Sequence, residues 1–271
     1  MRIRLDLAYD GTGIAGWQIQ PDHPTVQRHL EDALGRVYRR RVRVAGASRT
    51  DSGVHALQQV AHFDTDPDDP AIPPEKVRAA VQPWLPPQVV VLRSCEMPAD
   101  WHSIASVTSK RYRYLIRNDR VPHPLLDRIS WQVKPRLDLP AMQQAATALV
   151  GRHDFAAFET TGAPRSSTVR TILDLSLEQI APWTPLHPPT LPGYEPGPLI
   201  AFEIEGDGFL YNMVRAITGT LVNVGKGKWT PERVAAIRES ADRTQAGETA
   251  PACGLWLVRV HYGNHDNAGD G

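Results

Sequence analysis

Arg2-Ile3-Arg4-Leu5-Asp6-Leu7-Ala8-Tyr9 alternates polar and apolar side chains along its length. A period of two sends successive side chains to opposite faces, so this stretch predicts a half-buried β-strand. Asp10-Gly11-Thr12-Gly13 ends it. Pro24 stands where a first helical turn tolerates proline, and Val26, Leu30, Ala33, Leu34 and Val37 follow at helical spacing. That spacing predicts a helix of about 15 residues. Residues 42–46 and 57–63 read as strands on either side of a polar turn, Ser48 to His55, and a Pro-rich acidic stretch occupies 64–75.

The second half repeats this pattern. Tyr112, Tyr114 and Ile116 alternate with Arg111, Arg113 and Leu115, which predicts a strand. Leu139 to Val150 reads as a helix closed by Gly151. Strands are expected over 170–179 and 199–206, helical spacing runs from Phe209 to Val224 and from Pro231 to Ala241, and a last strand from Leu255 to Tyr262. Seven prolines between 181 and 198 predict a long exposed loop, and 263–271 a frayed tail. Strands interspersed with helices predict an α+β fold with mostly antiparallel sheet. The similar content of the halves predicts two related sub-domains, 1–105 and 106–262, each a sheet with flanking helices, followed by a disordered tail.

Composition narrows the class. A chain of 271 residues, 41% hydrophobic and 22% charged, can bury a large core without metal or disulfide staples. Intrinsic disorder is excluded for most of it. No apolar run reaches the length of a membrane span. Asp6 falls where a signal peptide would need its apolar core, so a cytoplasmic location is expected. Cys95 and Cys253 belong to no C-x-x-C pair, which excludes a cysteine zinc site and leaves one long-range bridge or two thiols. The formal net charge is zero, which argues against a generic nucleic-acid binder. Yet the charge is segregated: Arg36, Arg39, Arg40, Arg41, Arg43 and Arg49 have no acid among them, while Asp64, Asp66, Asp68, Asp69 and Glu75 follow.

Three places could carry chemistry. The turn Arg49-Thr50-Asp51-Ser52-Gly53-Val54-His55 gathers a cation, a carboxylate, two hydroxyls and an imidazole between two apolar strands. Asp51 is a candidate nucleophile or base there; an Asx-turn is the structural alternative. Gly53 breaks any helix that could pair Asp51 with His55, so metal ligation is not expected. In Lys110-Arg111-Tyr112-Arg113-Tyr114, alternation puts Arg111 and Arg113 on one face and both tyrosines on the other. That suits stacking on an unpaired base with phosphates nearby, and equally a strand with its tyrosines in the core. Arg215 sits in an apolar helix whose buried stripe is Met213, Ile217 and Leu221. It wants a carboxylate partner unless it lies on the outer face.

Taken together, these segments resemble the tRNA pseudouridine synthase A family over nearly the whole chain. The resemblance rests on Tyr9-Asp10-Gly11-Thr12 with Gly16-Trp17-Gln18, Thr25-Val26-Gln27, Arg49-Thr50-Asp51-Ser52-Gly53-Val54-His55-Ala56, Lys110-Arg111-Tyr112-Arg113-Tyr114, Phe209 with Met213-Val214-Arg215, and Gly254-Leu255 with Val258. Ser48, Ile104 and Ile14 depart from it, standing where the family has Gly, Arg and an aromatic residue. The resemblance implies isomerisation of uridine to pseudouridine at positions 38 to 40 of the tRNA anticodon stem-loop, without cofactor or metal. It implies Asp51 as nucleophile, Arg215 as its ion-pair partner and Tyr112 stacked on the uracil. Arg49 would fill the gap left by the flipped base, and Leu255 would contact substrate. It further implies a fold with a central cleft and a homodimer whose basic clefts hold tRNA across both subunits. A catalytically silent RNA-binding module and a carboxylate-using glycoside hydrolase are the competing classes. The first is disfavoured by the presence of Asp51, Tyr112 and Arg215 together, the second by the lack of another acid in the Asp51 loop.

Overall fold

The computed structural model of the chain describes residues 1–160, 167–181 and 197–266. The proline-rich residues 182–196 and the last residues, 267–271, lie outside them. In chain order the elements are β1 (Arg2–Tyr9), α1 (Val26–Tyr38), β2 (Ala45–Gly46), β3 (His55–Asp64), α2 (Val77–Val81), β4 (Val89–Met97), β5 (Ser109–Arg117) and β6 (Trp131–Gln132). There follow α3 (Leu139–Ala146), β7 (Gly151–Asp154), β8 (Val169–Ile180), β9 (Leu199–Gly206), α4 (Met213–Gly225), α5 (Arg233–Ser240) and β10 (Leu255–His261), with short 3-10 turns between several of them.

The fold is α+β and divides into two units, Met1–Lys110 with Trp256–Gly271, and Arg111–Leu255. The division departs from a simple cut near 105. All of β10 but Leu255 returns to the first unit, because Trp256 and Leu257 pair in parallel with His55 and Ala56 of β3. A strand returning from the far end of the sequence leaves no local periodicity to announce its partner.

In the first unit the strand order is β4-β1-β3-β10, with β2 added on β3. β1 runs antiparallel to both β3 and β4. β4 has no counterpart among the elements read from the sequence, since its Val89-Val90-Val91-Leu92 run lacks polar alternation. Ile3, Leu5 and Leu7 are fully buried, as the β1 pattern requires. The opposite face is buried too, which corrects the half-buried reading: Arg4 and Asp6 are 1% and 3% exposed. Arg4 pairs with Asp6 at 2.9 Å, Arg93 pairs with Asp6 at 2.7 Å, and the Arg4 guanidinium lies 5.1 Å from the Tyr262 ring centroid. Its Nη1 donates to the His265 carbonyl. The start of the expected frayed tail is therefore ordered: Gly263–His265 forms a 3-10 turn, and Asp266 accepts from the Tyr262 amide.

α1 begins at Thr25, whose hydroxyl accepts from the Arg28 amide, and ends at Arg39 in the left-handed region. Its Val26, Leu30, Ala33 and Leu34 are buried. In the second unit the order is β5-β9-β8-β7, with β6 beside β5. β7, β8 and β9 pair antiparallel. α4 is buried nearly all round rather than along one stripe, and Thr218 and Thr220 satisfy their hydroxyls on the carbonyls of Val214 and Ala216.

Candidate active site

The Asp51 loop is built on the first unit and tied down at its root. Ala47 donates its amide to the Val60 carbonyl, and Lys110 Nζ donates to the Ala47 carbonyl at 2.7 Å. Gln59, fully buried on β3, bonds the amide and the carbonyl of the next residue: its Oε1 accepts from Ser48 N at 3.2 Å and its Nε2 donates to Ser48 O at 2.6 Å. The Thr50 and Tyr9 hydroxyls share a hydrogen bond of 2.7 Å. Val54 N then closes a four-residue turn on Asp51 O, with Gly53 at φ +79°. A positive φ at the third turn position favours glycine, so the turn chemistry is written into the sequence.

Residues 11–17 back the loop at van der Waals range. A Cβ on Gly11 would stand 2.2 Å from the Val54 carbonyl oxygen, and one on Gly16 2.5 Å from the Thr50 oxygen. Trp17 N donates to Thr50 O, and Gly53 N to Ile14 O. The Trp17 ring lies where a Gly46 side chain would stand. Beyond the turn, His55 is fully buried, its ring stacked on Trp256 with centroids 4.3 Å apart. His55 Nδ1 lies 3.1 Å from both the Gly11 amide and Asp10 Oδ1. Asp10 Oδ1 accepts from Thr12 N in an Asx-turn. Asp51 is thus a half-buried carboxylate on a braced loop, between an exposed Arg49 and an exposed Ser52.

Tyr112, Arg215 and Leu255 belong to the second unit. Tyr112 and Tyr114 are buried, as alternation on β5 requires. Tyr112 retains 7% exposure, and the Phe209 ring meets it edge-on at 5.1 Å. Tyr114 has a structural job: its ring packs on Gly254 and its hydroxyl donates to the Pro251 carbonyl. Arg215 is held from two sides, Nε donating to Ala250 O at 2.7 Å and Nη1 to Asn212 Oδ1 at 2.7 Å. The strand of chain delivering Ala250 rests on α4 through Gly219 and Gly247, where a Cβ on Gly219 would meet the Glu248 oxygen at 1.9 Å. Tyr112 and Arg215 are therefore both anchored to the connection from 206 to 212, through Phe209 and Asn212. Leu255 opens β10 and is 6% exposed.

The basic clusters divide differently from their sequence appearance. Arg111 pairs with Asp174, Glu203 and Glu205, and Arg113 with Glu203. Arg117 is buried and pairs with Asp127. Most of the 110–120 cluster is thus neutralised inside its own unit and is not a free phosphate track. In the other cluster Arg40 is paired to Asp66 and Asp69 and Arg36 lies over the Trp84 ring, while Arg39, Arg41 and Arg49 are exposed. Among the described residues no group of three His, Cys, Asp or Glu side chains is arranged to hold a metal. Cys95 and Cys253 are not joined in a disulfide. No helix among the described residues is long and apolar enough to cross a membrane.

The site defines a candidate class: a half-buried carboxylate on a strand-bounded loop of an α+β fold suits nucleophilic or acid–base chemistry. Residues 7–104 and 145–263 match the family model described as tRNA pseudouridine synthase. The chain belongs to that family, and with it to the isomerases. Relatives named tRNA pseudouridine synthase A occur in Acetivibrio thermocellus and Ruminiclostridium cellulolyticum. They are 43% and 42% identical, each over 96% of this chain and 99% of their own. A third, in Pelobacter propionicus, is 42% identical over the same shares.

Sequence patterning passes over several residues that position the site. Gln59 acts on the loop root from a strand, where a lone polar side chain has no signature, and Lys110, legible as one cation of its cluster, gives no sign of its contact with Ala47. Asn212 carries a trace of its role, since it adopts φ +60° ahead of a helix and asparagine tolerates that region.

Proposed function

We propose that this protein converts uridine to pseudouridine in the anticodon stem-loop of tRNA, at positions 38 to 40, with Asp51 as the nucleophile. The observation that carries the reading is the braced Asp51 loop in a chain related to the synthases over nearly its full length. The reaction breaks the C1′–N1 bond and forms C1′–C5; C5 gives up its proton as the base reattaches and N1 ends protonated, so the product is an isomer. It consumes no oxidant and no energy donor. One ionised carboxylate is enough to attack C1′ or C6 and later depart. Arg215 serves this carboxylate as its counter-charge, keeping it ionised and aimed. Tyr112 stacks on the uracil and its hydroxyl moves the C5 proton. Arg49 occupies the gap left by the extruded base, and Leu255 gives the base an apolar contact. The protein works in the cytoplasm as a homodimer that binds tRNA.

Incubation with an unmodified tRNA transcript, followed by mapping of pseudouridine, tests the reading. Product is expected in the anticodon stem-loop without released uracil. Asp51→Asn keeps shape and loses nucleophilicity, so it is expected to abolish turnover while leaving tRNA affinity within a few-fold. Turnover within tenfold of the parent would overturn the nucleophile assignment.

A further inference from the structure

Lys110 is a cation with an unusual setting. It stands on β5, two residues before Tyr112, so strand alternation puts its side chain on the Tyr112 face. Arg111, on the other face, is occupied by Asp174, Glu203 and Glu205. Lys110 itself has no carboxylate partner among the described residues. Its Nζ makes one hydrogen bond, to the Ala47 carbonyl at 2.7 Å. That carbonyl is the root of the loop carrying Asp51. The segment it touches, Gly46-Ala47-Ser48, has no ionisable side chain, and His62 on neighbouring β3 is held neutral down to about pH 4 by burial, His102 and Arg2. An ammonium has three donors, and among the described residues only one is used.

We infer that Lys110 binds a phosphate of the RNA substrate, beside the nucleotide presented to Asp51. The inference rests on the RNA-modifying reading above. A half-buried cation with no carboxylate partner among the described residues is costly, and an anionic substrate supplies that charge. Burial lowers the pKa of the free ammonium to about 8. A bound phosphate stabilises the charged form and pulls that pKa upward. Affinity for RNA must therefore weaken as pH rises through about 8, because the anion selects protonated Lys110.

The test measures tRNA-transcript affinity between pH 6.5 and 9, at several salt concentrations, for the parent, Lys110→Arg and Lys110→Gln. For the parent, affinity is expected to fall about tenfold across this range, with the salt slope shrinking by about 0.7–0.9, the loss of one phosphate contact. Lys110→Arg stays charged and should flatten the pH profile. Lys110→Gln should bind at every pH as the parent does at pH 9. A parent whose affinity and salt slope are unchanged across the range overturns the inference without recourse to any variant. So does a Lys110→Gln protein that folds and keeps the parent's salt slope, which would leave Lys110 only its Ala47 contact. Absence of pseudouridine formation by the parent would instead overturn the reading on which the inference rests.

Discussion

Gln59→Leu removes the side chain that holds the Asp51 loop at its root. Gln59 is fully buried, bonds the amide and the carbonyl of Ser48, at 3.2 and 2.6 Å, and reaches the Tyr9 hydroxyl at 3.4 Å. Leucine fills most of the same space but satisfies none of these groups. A buried donor or acceptor left unmade costs about 1–3 kcal/mol. The Tyr9 hydroxyl keeps Thr50, so the loss falls on Ser48 N and Ser48 O, and about 2–4 kcal/mol is expected. At about 2–4 °C per kcal/mol for a chain of this size, the melting temperature drops by about 5–15 °C. The catalytic consequence is separate. A carboxylate displaced on a loosened loop loses alignment with its target, so kcat should fall by on the order of tenfold to a hundredfold while KM holds. Denaturant unfolding measures the first effect, and pseudouridine formation on a tRNA transcript the second. A variant within about 0.5 kcal/mol of the parent, with unchanged kcat, would refute the claim that Gln59 braces the loop.

Two further outcomes are expected. Truncation of a stacked aromatic costs about 1–3 kcal/mol, so Tyr112→Ala should bind tRNA more weakly, whereas Tyr112→Phe should bind normally and stall after base detachment; rapid-quench analysis separates these, and a Phe variant as fast as the parent leaves stacking as the sole role. His62 is held to a pKa of about 4 mainly by burial, so between pH 6.5 and 4 the unfolded chain takes up the proton first and stability falls with pH, by about 2 kcal/mol; His62→Gln should lose this dependence in urea melts, and a slope identical to the parent's would remove His62 as its source.

Much of the fold was legible in local periodicity. β1, α1, β5, β8, β9 and α5 stand close to the ranges read from the sequence, and in β5 and α1 the buried face recurs every two or about every 3.6 residues. The turn at Asp51 was legible for the same reason: Gly53 supplies a positive φ that its neighbours tolerate poorly. The family resemblance, too, needs only ordered motifs. What periodicity does not hold is the identity of partners distant in sequence. Arg4 and Asp6 read as a solvent face, and became buried once Tyr262 and His265 covered them. Arg111 and Arg113 were legible equally as phosphate ligands and as the outer face of a strand, and β9 decides by bringing Glu203 and Glu205 against them. Gln59 carried no signal, and Lys110 was legible only as one cation of a cluster, since a polar side chain in a strand becomes a brace only when a particular carbonyl folds back onto it. Local backbone and burial preferences act between neighbours and are therefore written along the chain. Which charge meets which carboxylate, and which carbonyl receives a buried donor, is settled by packing across the sheet, where desolvation makes an unmet group expensive.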